Sequence, residues 1–223
     1  SGDVLELGCG EGRGIDIIMK KSKSYTAIDK ISVMTEKLSQ KYPNGKFISS
    51  SFPPIGHFKD NSFDTILSFQ VIEHIKNDKL FIKEIYRTLK PGGIALLSTP
   101  NINMTLTRNP WHVREYTSNE LKKLASINFK KIMMKGISGN EKVMEYYYDN
   151  KKSVSKFKRI DILNLEKYLP NFLYKVPYEI LNRMNRKKLE SNNSSLVCSI
   201  STDDYILCKD SPENLDLFLI LEK

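Results

Sequence analysis

Short apolar runs alternate with amphipathic ones along the first half of the chain. Residues 4–8 read VLELG, an apolar run closed by glycine, which is the pattern of a buried strand. Residues 15–21 predict a helix and residues 25–29 a second strand. A helix opens at Ser32, with apolar positions at Val33, Met34 and Leu38, and Tyr42-Pro43-Asn44-Gly45 closes it. Residues 46–49 predict a third strand and residues 63–69 a fourth. Over 80–89 the apolar positions Leu80, Ile82, Ile85, Tyr86 and Leu89 define one helical face, and Pro91-Gly92-Gly93 is expected to end that helix. Residues 94–98 form a fifth strand, Thr117-Ser118-Asn119-Glu120 is a capping box at a helix start, and residues 129–136 and 215–221 supply two more strands.

Strands separated by helices imply parallel βαβ units. The expected fold is therefore α/β: a doubly wound, mostly parallel, seven-stranded sheet. Residues 138–209, rich in Tyr, Asn, Lys and Leu, read as a helical insertion before the last strand. Both ends of that segment return to the sheet, so one domain over 1–223 is expected, with 138–209 capping the acceptor side. Apolar positions at Ile160, Leu163, Leu165, Tyr168, Leu169, Tyr178, Ile180 and Leu181 would form the inner faces of its short helices. In such sheets ligands bind at the carboxyl ends of the strands, which makes the residues just after each strand the place to look for chemistry.

The glycine-rich turn Glu6-Leu7-Gly8-Cys9-Gly10-Glu11-Gly12 follows the first strand. Glycines there let the backbone approach a ligand, and the next helix offers free N–H groups. A carboxylate at Glu6 is a poor neighbour for a pyrophosphate and a good one for an ammonium, which favours S-adenosylmethionine over a dinucleotide. Asp29 ends the second strand, where a carboxylate can accept both hydroxyls of a ribose.

VLELGCGEG, AIDK, FDTILSFQVIEHI and LKPGGIALLSTPN together resemble four successive motifs of the class I S-adenosylmethionine-dependent methyltransferases, over about residues 4–124. The resemblance implies a Rossmann-like domain that takes S-adenosyl-L-methionine as cofactor. It implies that Glu6 holds the methionine ammonium and that Gly8, Gly10 and Gly12 pass under the amino-acid and ribose portion. Asp29 would take the ribose hydroxyls and Lys30 flank ribose and adenine. Phe69 and Gln70 would lie near the methionine end. The acid that often reaches the adenine amino group in this family is replaced by Ser51, followed by Phe52, and these two are expected to border adenine. The chain also starts almost on its first strand, where the family usually places helices over the active site.

Gln70-Val71-Ile72-Glu73-His74 resembles the ExxEH element of two metal-using subfamilies, the ubiquinone-pathway O-methyltransferases and the small-RNA 3′-terminal 2′-O-methyltransferases. Here an amide, a weaker ligand for hard cations, stands in place of the first carboxylate, so a metal-free site is expected. The segment from Asn109 to Tyr116 resembles one found in bacterial methyltransferases near glycan and lipid pathways. Within it His112 is a candidate general base, with His74 as a second catalytic candidate. Arg114 and Glu115 are expected to pair with each other or with the helix start, and Trp111 either floors a sugar pocket or plugs the core.

Composition changes this picture little. The formal charge of +9 is spread through Lys20, Lys21, Lys122, Lys123, Lys130, Lys131, Lys151, Lys152 and the 186–188 run, with no single basic stripe to point to nucleic acid. No apolar run reaches the roughly 20 residues needed to span a bilayer, and no signal-peptide pattern precedes the first strand. Cys9, Cys198 and Cys208 form no paired framework, which suits a reducing, cytoplasmic setting. The expected function is methyl transfer to a hydroxyl of a small-molecule or glycan/lipid-linked acceptor. A metal-assisted RNA 2′-O-methyltransferase and a non-catalytic S-adenosylmethionine-binding protein are the alternatives.

Overall fold

The computed structural model of the protein describes residues 2–160, 170–192 and 194–223. In chain order the elements are β1 (Asp3–Leu7), α1 (Ile15–Lys21), β2 (Ser24–Asp29), α2 (Ser32–Lys41), β3 (Lys46–Ser49), β4 (Phe63–Phe69) and α3 (Asp78–Thr88). After them come β5 (Leu89–Pro100), α4 (Ser118–Ala125), β6 (Lys131–Gly139), α5 (Glu141–Ile160), α6 (Asn171–Asn192), α7 (Ser194–Ser199), β7 (Tyr205–Lys209) and β8 (Asp216–Glu222). The strands form one sheet in the order β3-β2-β1-β4-β5-β8-β6-β7. The pairs β3-β2, β2-β1, β1-β4 and β4-β5 are parallel, and β8, β6 and β7 close the far side with antiparallel pairs. The chain runs outward from β1 to β3 and then restarts beside β1 with β4. That reversal opens a crevice at the carboxyl ends of β1 and β4, the expected ligand position in such sheets.

β1 is buried on both faces, which explains its nearly unbroken apolar sequence. Leu5 and Leu7 join a core with Phe81, Ile82 and Ile85 of α3 and Leu121 and Ala125 of α4. Val4 joins Ile15 of α1, Tyr25 of β2 and Leu38 of α2 on the other face. The predicted capping box closes α4: the Thr117 hydroxyl accepts from the Glu120 N–H, and the Glu120 carboxylate accepts from the Thr117 N–H.

The sheet has eight strands where seven were expected. The additional one, β7, pairs antiparallel with β6 at the sheet edge, and Tyr205, Ile206 and Leu207 are exposed. An edge strand exposed on both faces shows no inside-outside alternation, so its YILCK run carries no strand signal. α3 ends at Thr88, ahead of Pro91-Gly92-Gly93 as expected, but the next strand starts at Leu89 rather than Ile94, so the triplet lies within that strand. It is a bulge inside β5, whose register against β4 jumps from Phe63↔Leu89 to Thr65↔Ile94, with Gly92 at φ +77°.

Between β6 and β7 the described residues form α5, α6 and α7, while β7 falls inside the 138–209 segment expected to be a helical insertion. α5 and α6 are joined by polar contacts: the Ser153 hydroxyl donates to Asn185 Oδ1 at 2.6 Å and the Asn185 amide donates to Asn150 Oδ1 at 2.7 Å. The expected apolar positions Leu163, Leu165, Tyr168 and Leu169 lie outside the described residues. Among the described residues no helix is long and apolar enough to cross a membrane.

Candidate active site

The glycine-rich turn lies at the carboxyl end of β1. Gly8, Gly10 and Gly12 adopt φ of +81°, +50° and +75°, a region costly for other residues. At Gly10 an added Cβ would meet no atom within 4 Å, so this turn borders open space rather than protein. Asp29, at the end of β2, accepts the Gly10 N–H on Oδ2 at 2.9 Å and the Ile31 N–H on Oδ1 at 3.0 Å. It thereby ties the turn to the start of α2. A carboxylate has about four lone-pair sites, so these two bonds leave acceptor capacity toward the crevice. Lys30 and Ser51 are exposed at its rim, and Phe52 stacks on Phe81 with centroids 5.9 Å apart.

Glu6 sits beneath the turn, only 7% exposed, and the Tyr25 hydroxyl donates to its Oε2. Burial pushes the Glu6 carboxyl upward, with the Tyr25 hydrogen bond opposing. On the other side of the crevice Phe69 is exposed and stacks with Phe218 of β8 at 6.3 Å. Gln70, at φ +56°, donates its backbone N–H to the Ser98 carbonyl at 2.9 Å and its side-chain amide to Ser98 Oγ at 3.4 Å, and it lies close enough to Asp216 to act on its carboxyl. Burial pushes the Asp216 carboxyl up to about 6; the Gln70 side chain opposes this and the negative charge of Glu73 adds to it.

A second cluster lies beyond the end of β4. A single 3-10 turn, Ile72–His74, buries Glu73, which accepts the Thr99 hydroxyl on Oε2 at 3.0 Å. Burial raises the Glu73 carboxyl despite that bond. The Glu73 backbone carbonyl accepts the Val113 N–H at 2.7 Å, which fixes the 109–116 segment against the turn. His74 places Nδ1 3.0 Å from the Trp111 carbonyl, a contact that requires an N–H, so Nε2 holds the lone pair. The His74 and His112 rings meet edge to face, with centroids 5.0 Å apart.

His112 is oriented from both sides. Its Nδ1 lies 2.6 Å from Glu115 Oε1 and its Nε2 lies 2.9 Å from Asn109 Nδ2. The Trp111 N–H donates to Asn109 Oδ1 at 3.0 Å, which turns the amide nitrogen toward His112. These partners assign Nδ1 as the protonated nitrogen and Nε2 as the basic one. The Thr105 hydroxyl holds the other Glu115 oxygen. Burial alone would raise the Glu115 carboxyl, but the hydrogen bonds from His112 and Thr105 outweigh it and hold it below the usual range.

The expected pairing of Arg114 with Glu115 does not occur. Arg114 donates to Asp78 at 2.7 Å, a carboxylate that also accepts the Tyr116 hydroxyl at 3.0 Å. Trp111 does not plug the core: it is 49% exposed, with the Lys175 ammonium 3.7 Å from its ring centroid. The roles of Thr105, Asn109, Glu115 and Asp216 were not anticipated from sequence. The one sequence signal for Glu115 is its position three residues after His112.

A cavity of about 360 Å³ opens beside His112. Pro100 at the end of β5, the 105–115 segment, and Tyr146, Asn150, Tyr178, Asn182 and Asn185 of α5 and α6 form its walls. Among the described residues, Glu73, His74 and His112 each offer one ligand atom within 4.8 Å of one another, a set that could hold a metal ion.

Residues 5–97 match the family described as a methyltransferase domain. Over 127 residues the chain is 36% identical to a protein of Mycolicibacterium smegmatis described as a probable S-adenosylmethionine-dependent methyltransferase, covering 55% of this chain and 49% of that protein. It is 32% identical over 101 residues to a ubiquinone biosynthesis O-methyltransferase of Rickettsia canadensis, covering 44% of this chain and 43% of the relative. Among solved structures, an S-adenosylmethionine-dependent methyltransferase from Archaeoglobus fulgidus superposes with a TM-score of 0.57 at 16% identity, over 99% of this chain and 86% of its own. That likeness speaks for the fold. Residues 5–97 are thus similar to a methyltransferase domain, and the whole chain shares the fold of S-adenosylmethionine-dependent methyltransferases. It spans about half the length of the curated relatives it matches.

Proposed function

We propose that this protein transfers a methyl group from S-adenosylmethionine to a hydroxyl of a small-molecule or glycan-type acceptor, with His112 as the general base. The observation that carries this reading is the His112–Glu115 pair at 2.6 Å beside the cavity, with the basic Nε2 assigned by Asn109. S-adenosylmethionine, when bound, supplies a methyl group on a sulfonium whose sulfur leaves as a neutral thioether. Gly8, Gly10 and Gly12 form the turn that would hold it, with Asp29 on the ribose hydroxyls, Glu6 toward the ammonium, Lys30, Ser51 and Phe52 around ribose and adenine, and Phe69 and Gln70 at the methionine end. The open space at Gly10 and the remaining acceptor capacity of Asp29 fit that group. The acceptor hydroxyl would displace the Asn109 amide from His112 Nε2, which then takes the hydroxyl proton, and Glu115 stabilises the imidazolium that results. Such base assistance is worth about 10²–10⁴-fold, on top of the roughly 7–11 kcal/mol that alignment alone can supply. Residues 138–209 would serve as the acceptor-side cap of a single domain.

The test is conversion of S-adenosylmethionine to S-adenosylhomocysteine in the presence of hydroxyl acceptors, followed by mass spectrometry. Acceptor-dependent turnover supports transfer; cofactor binding without turnover across a broad acceptor set would move the non-catalytic reading ahead. A metal-assisted RNA 2′-O-methyltransferase is the second reading, favoured by the convergence of Glu73, His74 and His112. RNA-dependent turnover that needs magnesium or manganese would establish it in place of the first.

A further inference from the structure

The cavity beside His112 carries polar groups that the fold does not use. The Tyr146 hydroxyl, the Thr107 hydroxyl and the Asn182 amide make no hydrogen bond among the described residues. Asn150 accepts from Asn185 on Oδ1, which leaves its amide N–H groups without a partner there. These four groups are all neutral and offer both donors and acceptors. Asn185, 7% exposed, is held from behind by Ser153, so this part of the wall is fixed rather than adaptable.

Formal charge in the wall is confined to one place. Among the described lining residues none is Lys or Arg, and the one acid is Glu115, already engaged by His112 and Thr105. A phosphate entering this space would lose water, meet no cation among the described lining residues and approach a carboxylate. Each of those terms disfavours it. A hydroxylated ring would instead exchange its water hydrogen bonds for the neutral groups of the wall. A site built to hydrogen-bond hydroxyls also rejects analogues that lack them, because its own polar groups are then left unpaired. The volume lies at the small end of the roughly 300–1,000 Å³ typical of ligand pockets.

We propose that this cavity is the acceptor seat and that it selects an uncharged, polyhydroxylated acceptor of the sugar class, read by Tyr146, Asn150 and Asn182 and excluding phosphorylated or nucleotide acceptors. The inference rests on the methyl-transfer reading above and narrows its acceptor. The reacting hydroxyl is the one that replaces the Asn109 amide at His112 Nε2: its oxygen gains the methyl carbon, its proton passes to that nitrogen, and the carbon–sulfur bond breaks to release S-adenosylhomocysteine.

Trp111 is the only tryptophan of the chain and immediately precedes His112, so its fluorescence reports on this wall. The test titrates the S-adenosylhomocysteine-saturated protein with a panel of neutral methyl glycosides. The matching sugar phosphates and a short RNA oligonucleotide follow, and saturation-transfer NMR serves as a second readout. The expected result is saturable binding of at least one neutral glycoside and at least about tenfold weaker binding of its phosphate. Asn182→Ala and Tyr146→Phe should each weaken glycoside binding by about fivefold while leaving S-adenosylhomocysteine affinity, and hence the fold, unchanged. Asn182→Lys should shift the preference toward the phosphate. If the protein binds S-adenosylhomocysteine but no glycoside in the panel, or prefers the phosphate or RNA, the acceptor assignment is overturned while the methyl-transfer reading stands. If S-adenosylhomocysteine itself fails to bind, both fall together.

Discussion

Replacing Asp29 with alanine probes the crevice at the residue that joins its two walls. The carboxylate accepts the Gly10 N–H at 2.9 Å and the Ile31 N–H at 3.0 Å, so its loss acts on the protein before any ligand is considered. Hydrogen bonds to a charged group contribute about 1.5–3 kcal/mol each, and a buried donor left unpaired costs about 1–3 kcal/mol. Gly10 borders open space, so water can replace part of its bond; a net loss of about 2 kcal/mol is expected. In a domain of this size that corresponds to a fall in Tm of roughly 4–8 °C. Removing the ribose acceptor should separately weaken S-adenosylhomocysteine binding by about tenfold or more, which is ~1.4 kcal/mol.

Differential scanning fluorimetry and isothermal titration calorimetry separate the two effects. A lowered Tm with unchanged affinity would refute the ribose assignment and leave Asp29 as a loop anchor. Asp29→Asn gives a graded check. It keeps one oxygen for either Gly10 or Ile31 but opposes the other N–H with an amide N–H. Its Tm and affinity should therefore fall between those of wild type and alanine.

Three further expectations concern the acceptor side. His112→Asn should lower turnover by about tenfold or more while leaving S-adenosylhomocysteine affinity intact, and Glu115→Gln should lower kcat in the same direction through the lost imidazolium partner; equal losses in cofactor affinity would refute the base assignment. Asp216 titrates in the folded protein near 6 instead of 3.8, so the stability it contributes is full below 3.8 and is lost as pH rises through about 6. Asp216→Asn should accordingly gain about 2–3 kcal/mol relative to wild type between about pH 4 and about pH 7, read as diverging Tm values; parallel pH profiles would count against the shift. Turnover should survive EDTA; full chelator sensitivity, restored by magnesium, would put Glu73, His74 and His112 to work as ligands.

β3 is a half-exposed edge strand, marked mainly by the stop at Tyr42-Pro43-Asn44-Gly45 before it. β1, β2, β4 and residues 94–98 of β5, by contrast, were legible because they lie inside the sheet and read as short, mostly apolar runs. The same signal fails at β7, where the sheet edge leaves Ile206 and Leu207 exposed, and at Pro91-Gly92-Gly93, where a bulge carries the strand past a sequence that reads as a stop. The contact between the glycine-rich turn and Asp29 is local: Gly10 and Asp29 are brought together by two adjacent strands with a short crossover. The acceptor side is not local. Arg114 and Glu115 are neighbours in sequence, yet the loop sends one to Asp78 on α3 and the other to His112. Asp216 meets Gln70 only because β8 inserts beside β5 in the sheet, an order no spacing along the chain announces.

The basic excess illustrates the same division. Lys20 and Lys21 end α1 and Lys122 and Lys123 end α4, where they oppose the negative ends of the helix dipoles, and all four are exposed. Lys130 and Lys131 are exposed at the start of β6, and Lys131 is paired with Glu222 of β8. Lysines placed this way serve helix termini and strand pairs distributed around the sheet, and their sum says nothing about an acceptor. What bears on an acceptor is the sign and type of the groups lining the cavity beside His112. There the described wall holds asparagine, threonine and tyrosine, one engaged carboxylate and no cation. A net charge of +9 and the acceptor seat proposed above are therefore compatible in one chain, because the first is set at the ends of secondary structure and the second would be set by the few side chains around one imidazole.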